Sequence, residues 1–316
     1  MGTMCEAHFW TDTKMCDLDE LKDGCTENSA PSGLPPSAPP WLDVEKFNRG
    51  RKFFQEYLCS NFLAMFTSLV GGLSVINLLE PLVFTKASDD PKKSLKRYFS
   101  TFHHVTCWHY GNVWDSESDA YQSVIYVRNI HNKVAKQMNS SQQPERLYFS
   151  QYDMALVQCG FMGCIVLYPE YFGVPFNQQQ IDDYVYFWKG MGYLLGISDK
   201  YNICNGGYSC AREKCKGIEE RVLIPALNNP PKDFLPMAEA FIGGANLPWK
   251  FKLLSFVSVL AFGLEAMGEP RPKLGLSDTL RLYFLKTVVV LVRYSAFFRR
   301  RINRAMEMMM GCSKMT

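Results

Sequence analysis

Neither sign of charge dominates this sequence: 34 Lys and Arg oppose 31 Asp and Glu, a net charge of +3. That balance provides no overall field for nucleic acid, and no RNA- or DNA-binding signature is present. The eleven cysteines are an odd number at irregular spacings, with no CxxC anywhere. Cys204, Cys210 and Cys215 are too far apart, and lack a fourth ligand, for a structural zinc site. HExxH, GxSxG, a P-loop and the dinucleotide-binding glycine pattern are all missing. Gly190, Gly192 and Gly196 have the wrong spacing for such a loop and fall in or at the end of a helical stretch. The start, MGTMCEAHFWTDTKMCDLDE, is polar and acidic rather than a secretory signal, and it lacks the Ser or Thr of a myristoylation motif. Reduced thiols and an intracellular setting are therefore expected, in the cytoplasm or on the cytosolic face of an internal membrane. There the sequon at Asn139 would carry no glycan.

What is present is apolar and aromatic. Hydrophobic residues make up 47% of the 316 and aromatics 14%, ample for a large core. The run TENSAPSGLPPSAPP holds five prolines in fifteen residues and cannot build a core. Residues 1–41 are therefore expected to be a disordered, flexible tail, with the folded part starting near Trp41. Beyond it, apolar residues recur at helical spacing with little alternation, which predicts an all-α chain. Ser150 and Asp153 stand where a capping box would open a helix, and Asn177 opens another that Gly196 stops.

Two stretches raise the question of a membrane. Asn61–Leu79 has no charged residue over nineteen positions, but Gly71-Gly72 and its hydroxyls suit a buried central helix equally well. Near the C-terminus, Lys286, Arg293 and Arg300 are seven residues apart and share a helical face. Residues 271–316 thus form a third segment, an amphipathic basic helix. It either covers the core or contacts an anionic membrane surface.

Five histidines are present, and His103, His104, His109 and His131 fall within 29 positions. In SDAYQSVIYVRNIHNKVAKQM, Val124, Val127, Val134 and Met138 share one helical face with His131. A satisfied core histidine is the plain reading. An axial haem ligand is the sharper one, because haem iron needs a histidine projecting into an apolar slot. His103 and His104 are neighbours and cannot both face one site, and His109 could stack at an aromatic rim. Arg97 and Thr101 are four apart and share a helix side.

The order Arg97-x-x-x-Thr101, then His131 thirty residues on, then Tyr152-Asp153 opening an apolar helix, resembles a known family. It is similar to the catalytic domain of ER-bound oxygenases of the MpaB type and rubber oxygenases (latex clearing proteins). FWKGMGYLLGISDKYNIC adds to the likeness, which spans about residues 62–227. The resemblance implies a single large helical domain over residues 42–270 with a globin-like core holding haem b. It implies His131 as the proximal iron ligand, and Arg97 and Thr101 as catalytic residues on the distal side, Arg97 also contacting the cofactor. The implied chemistry is oxidative cleavage of an apolar, isoprenoid- or lipid-like substrate by dioxygen. Rubber-cleaving members carry a lysine immediately before the threonine. Here Ser100 takes that place and cannot supply the same ligand. Two other readings stay open: a catalytically silent haem-binding protein, and a membrane-associated helical protein without cofactor.

Overall fold

A computed structural model describes residues 18–29, 33, 35–140 and 146–311. The described residues are helical, with no strand beyond one antiparallel bridge between Asn28 and Ser150. The all-α expectation is met. In chain order the helices are α1 Asp19–Asp23, α2 Val44–Glu56, α3 Leu58–Gly72, α4 Ile76–Thr85, α5 Pro91–Tyr110, α6 Asp119–Asn139 and α7 Gln151–Leu167. Then follow α8 Gln178–Leu194, α9 Gly207–Ile218, α10 Ile224–Asn228, α11 Phe234–Asn246, α12 Phe256–Met267, α13 Leu276–Tyr294 and α14 Ala296–Met310. A single π-helical turn, Glu219–Leu223, joins α9 to α10.

Helix α7 occupies the centre. It carries apolar residues on every side, so it must be enclosed rather than laid on a surface. It packs on α3, α8 and α9, burying Met154, Ala155, Met162, Ile165 and Val166. Helix α2 lies against α8 with unusually close backbones, because Gly50 has no side chain. A Cβ there would sit 2.2 Å from the Asp183 carbonyl oxygen and 2.8 Å from Phe187 Cβ.

Two sequence expectations need correction. The folded part does not begin at Trp41. Helix α1 and a 3₁₀ turn at Gly24–Thr26 precede it, with Leu18 and Leu21 buried against the core. Gln151 N–H donates to the Glu27 carbonyl at 2.8 Å, and Ser29 N–H to the Phe149 carbonyl at 3.1 Å. Residues 1–17, with His8, lie outside the described residues. The cysteines are also not uniformly reduced: Cys210 is in a disulfide, whereas Cys25, Cys59, Cys159, Cys164, Cys204 and Cys215 are free thiols.

The uncharged run Asn61–Leu79 is not one helix. Helix α3 ends at Gly72, the chain turns through Leu73–Val75, and α4 leaves at 89°. Among the described residues no single helix is long and apolar enough to cross a membrane, and this bent pair alone passes on length and composition. Leu58, Ala64, Met65 and Val70 of α3 are buried in the main core. Helices α13 and α14 pack against α12, α3, α2 and α5.

Candidate functional site

Arg97 is placed by the start of its helix. Asp90 caps α5, its side chain accepting from Lys92 and Lys93 N–H at 2.8 and 3.0 Å, and Pro91 fits the first helical turn. Two turns on, Arg97 Nη1 donates to Thr85 Oγ1 at 2.7 Å, on the last residue of α4. Among the described residues no carboxylate pairs with Arg97, and burial lowers its pKa. It is a largely enclosed cation whose charge is not cancelled.

His131 lies on α6, capped at Ser118, whose side chain accepts from Tyr121 N–H at 3.1 Å. The buried stripe of α6 runs through Val124, Arg128, Ala135 and Met138. Val127, His131 and Val134 flank it, half-buried. The imidazole Nδ1 is nevertheless enclosed, with no hydrogen-bond partner among the described residues. Burial, and then the positive charge of Arg97, push its pKa down to about 4. The ring is neutral at physiological pH, the form that can offer a lone pair to a metal. The charge of Arg97 thus acts on His131.

The Phe149 ring stands against His131, with centroids 5.4 Å apart at 47°. Phe149 has φ of 56°, in the left-handed region, which costs a non-glycine residue about 1–2 kcal/mol. The geometry is held by hydrogen bonds from Ser29, whose N–H and Oγ both donate to the Phe149 carbonyl. One residue on, the Ser150–Asp153 capping box is present in full, and Arg146 Nη1 pairs with Asp153 at 2.8 Å.

The hydroxyl on the Arg97 guanidinium is Thr85, whereas Thr101 Oγ1 donates to the Arg97 backbone carbonyl at 3.2 Å. Thr85 and Phe149 escaped the sequence reading because no periodicity marks a residue that meets its partner across a turn between helices.

The other histidines among the described residues serve the packing. His103 Nδ1 contacts the Met310 carbonyl at 3.1 Å, and His104 Nδ1 contacts Ser123 Oγ at 2.8 Å, so the two neighbours turn to different helices. His109 is not at a rim. It is fully buried and stacked on Phe54 at 3.6 Å. Among the described residues no group of three His, Cys, Asp or Glu side chains could hold a metal ion. His131 would therefore be a lone protein ligand, which suffices for a porphyrin-held iron. A cavity of about 70 Å³ lies elsewhere, between α3, α7, α12 and the π turn, lined by residues such as Thr67, Gly71, Cys164 and Gly263. It shares no residue with the Arg97–His131 cluster.

No curated protein and no solved structure matches the chain. Residues 60–202, which contain Arg97, Thr101 and His131, match one family model, that of the ER-bound oxygenase mpaB/B′/rubber oxygenase catalytic domain.

Proposed function

We propose that this chain is a haem b-dependent oxygenase that uses dioxygen on a small apolar, isoprenoid- or lipid-like substrate, with His131 as the residue that would hold the iron. The family match supports oxygenase chemistry. The observation that carries the haem reading is an enclosed, neutral imidazole with an unpartnered ring nitrogen next to an uncancelled cation. Such an orphaned polar atom is costly unless something binds there. Haem b would supply the iron at which dioxygen is activated.

The chain's own groups have distinct roles in this reading. His131 offers a neutral nitrogen. Arg97, steadied by Thr85, would offer positive charge to a haem propionate. Thr101 lies one turn further along α5 on the same side. The Phe149 ring limits water around the imidazole. Ser100, which cannot ligate as lysine does, directs the reading away from polyisoprene and towards a smaller substrate. A silent haem-binding protein remains the second reading, favoured by that same serine and distinguished by haem content without oxygen uptake.

The test is the visible spectrum of the full chain supplied with haem, beside His131→Ala. A Soret band near ~400–430 nm that the substitution abolishes is the expected result. A band unchanged in His131→Ala moves the ligand elsewhere, and no band in either protein sinks the haem reading.

A further inference from the structure

Helix α13 has an unusual distribution of charge. Its four charged residues are all engaged. Arg281 pairs with Asp278 at 3.0 Å, and Asp278 also accepts from Ser255 Oγ at 2.7 Å. Lys286 reaches Glu265 of α12, and Arg293 reaches Glu170, each at 2.5 Å. Lys286 and Arg293, two members of the seven-residue basic repeat, thus hold the helix to the body, whereas the third, Arg300, is exposed on α14. Between its flanks, Leu282, Leu285 and Val292 are buried.

The opposite face is apolar and open. Leu276, Leu280, Tyr283, Val290 and Tyr294 are 80%, 63%, 60%, 52% and 75% exposed. They follow helical spacing along about 27 Å of helix. No charge falls on that arc. Its threonines do not call for water either: Thr279 and Thr287 hydroxyls donate to the Gly275 and Tyr283 carbonyls of the same helix, at 2.9 and 2.8 Å. Exposed apolar surface of this extent on one element marks an interaction site.

The surroundings indicate its occupant. The loop carrying Trp249 and Phe251, 60% and 78% exposed, is tied to α13 by Arg281 Nε donating to the Lys252 carbonyl at 3.1 Å. On α14, Phe297 and Met308 share the outward face with Arg301 and Arg304. Among the described residues these two arginines pair with no carboxylate, nor do Lys250 and Lys252. The rim is therefore of one sign. A second copy docked on this face by a two-fold axis would bring like charges together. An anionic lipid surface would neutralise them, and Trp and Tyr favour the headgroup level of a bilayer.

We propose that the outward face of α13, flanked by the Trp249–Phe251 loop and the α14 arginines, lies in the headgroup–acyl boundary of an anionic bilayer. Lys286 and Arg293 face the protein, and apolar insertion rather than those two charges provides the attachment. The proposal does not depend on the oxygenase reading.

Flotation of the full chain with vesicles tests it, using phosphatidylcholine alone and phosphatidylcholine with phosphatidylserine. The chain should float with both, more with the anionic mixture, and should persist at ~1 M salt because insertion is not screened. The double variant Leu280→Glu/Tyr294→Glu should lose at least about tenfold of the binding. Val44→Glu, another exposed apolar position at the start of α2, should leave it unchanged. The proposal fails if the chain does not float, if salt alone releases it, if the double variant floats like wild type, or if light scattering shows a dimer that the double variant abolishes.

Discussion

His109 and His131 each hold one enclosed ring nitrogen without a partner among the described residues, and their differences lie in a few atoms. His109 Nδ1–H donates to the Val105 carbonyl at 2.7 Å, leaving Nε2 without a partner inside a box of Phe54, Phe187 and Trp188. Burial pushes its pKa down to about 3. The unfolded chain takes up this proton near pH 6.5 and the folded chain does not. The stability due to the neutral ring is therefore present above pH 6.5 and is lost as pH falls towards 3. Between pH 7 and pH 5 that loss is about 2 kcal/mol. Urea unfolding of wild type and His109→Gln at both pH values isolates the contribution. The variant should lose less stability on acidification, and equal losses would show that the ring titrates freely in the fold. From the sequence, only His131 stood out, because periodicity detects a histidine on an apolar face. His109 sits at the end of its helix, where no full turn follows to establish a face.

At the scale of elements, local chemistry was legible and long-range chemistry was not. The Ser150–Asp153 box and the Asn177 cap are set by residues three apart, and both are present. The segment around Ser29 was read as tail, because what orders it is a pair of hydrogen bonds to Phe149, 120 residues away. Composition cannot see such a partner. Both features meet at the entry to α7, where Asp153 caps the helix, pairs with Arg146 and accepts from Asn77 Nδ2 at 2.7 Å. Arg146 is also held by Glu80 at 3.0 Å. Replacing Asp153 with Ala removes a cap and leaves a half-enclosed guanidinium short of a partner. A loss of about 3 kcal/mol is expected, read from the urea midpoint. On the proposed haem reading, the same change should also loosen Phe149 and lower haem retention while leaving His131 in place. A variant as stable as wild type would mean that the loop is ordered by Ser29 alone.

For the whole molecule, the structure separates the two stretches that raised the question of a membrane. Asn61–Leu79 had the better hydropathy and proved to be a broken, largely buried pair of helices. The C-terminal stretch carried charges and proved to expose an uncharged face. Hydropathy could not tell them apart, because it counts charges without knowing which way they point. On α13 every charge turns to Asp278, Glu265 or Glu170, which are apart in sequence or hidden in the helix's own flank. Lysine substitutions in each helix separate the cases without any lipid. Met65 is 3% exposed on α3, so Met65→Lys must place an unpaired ammonium in the core, at a cost of several kcal/mol. Leu280 is 63% exposed on α13, so Leu280→Lys should change stability by no more than about 0.5 kcal/mol. Thermal unfolding in plain buffer should therefore show Met65→Lys collapsed or strongly lowered and Leu280→Lys unmoved. The reverse order would mean that α3 faces the outside and α13 is covered, and would remove the physical basis for placing the bilayer at α13.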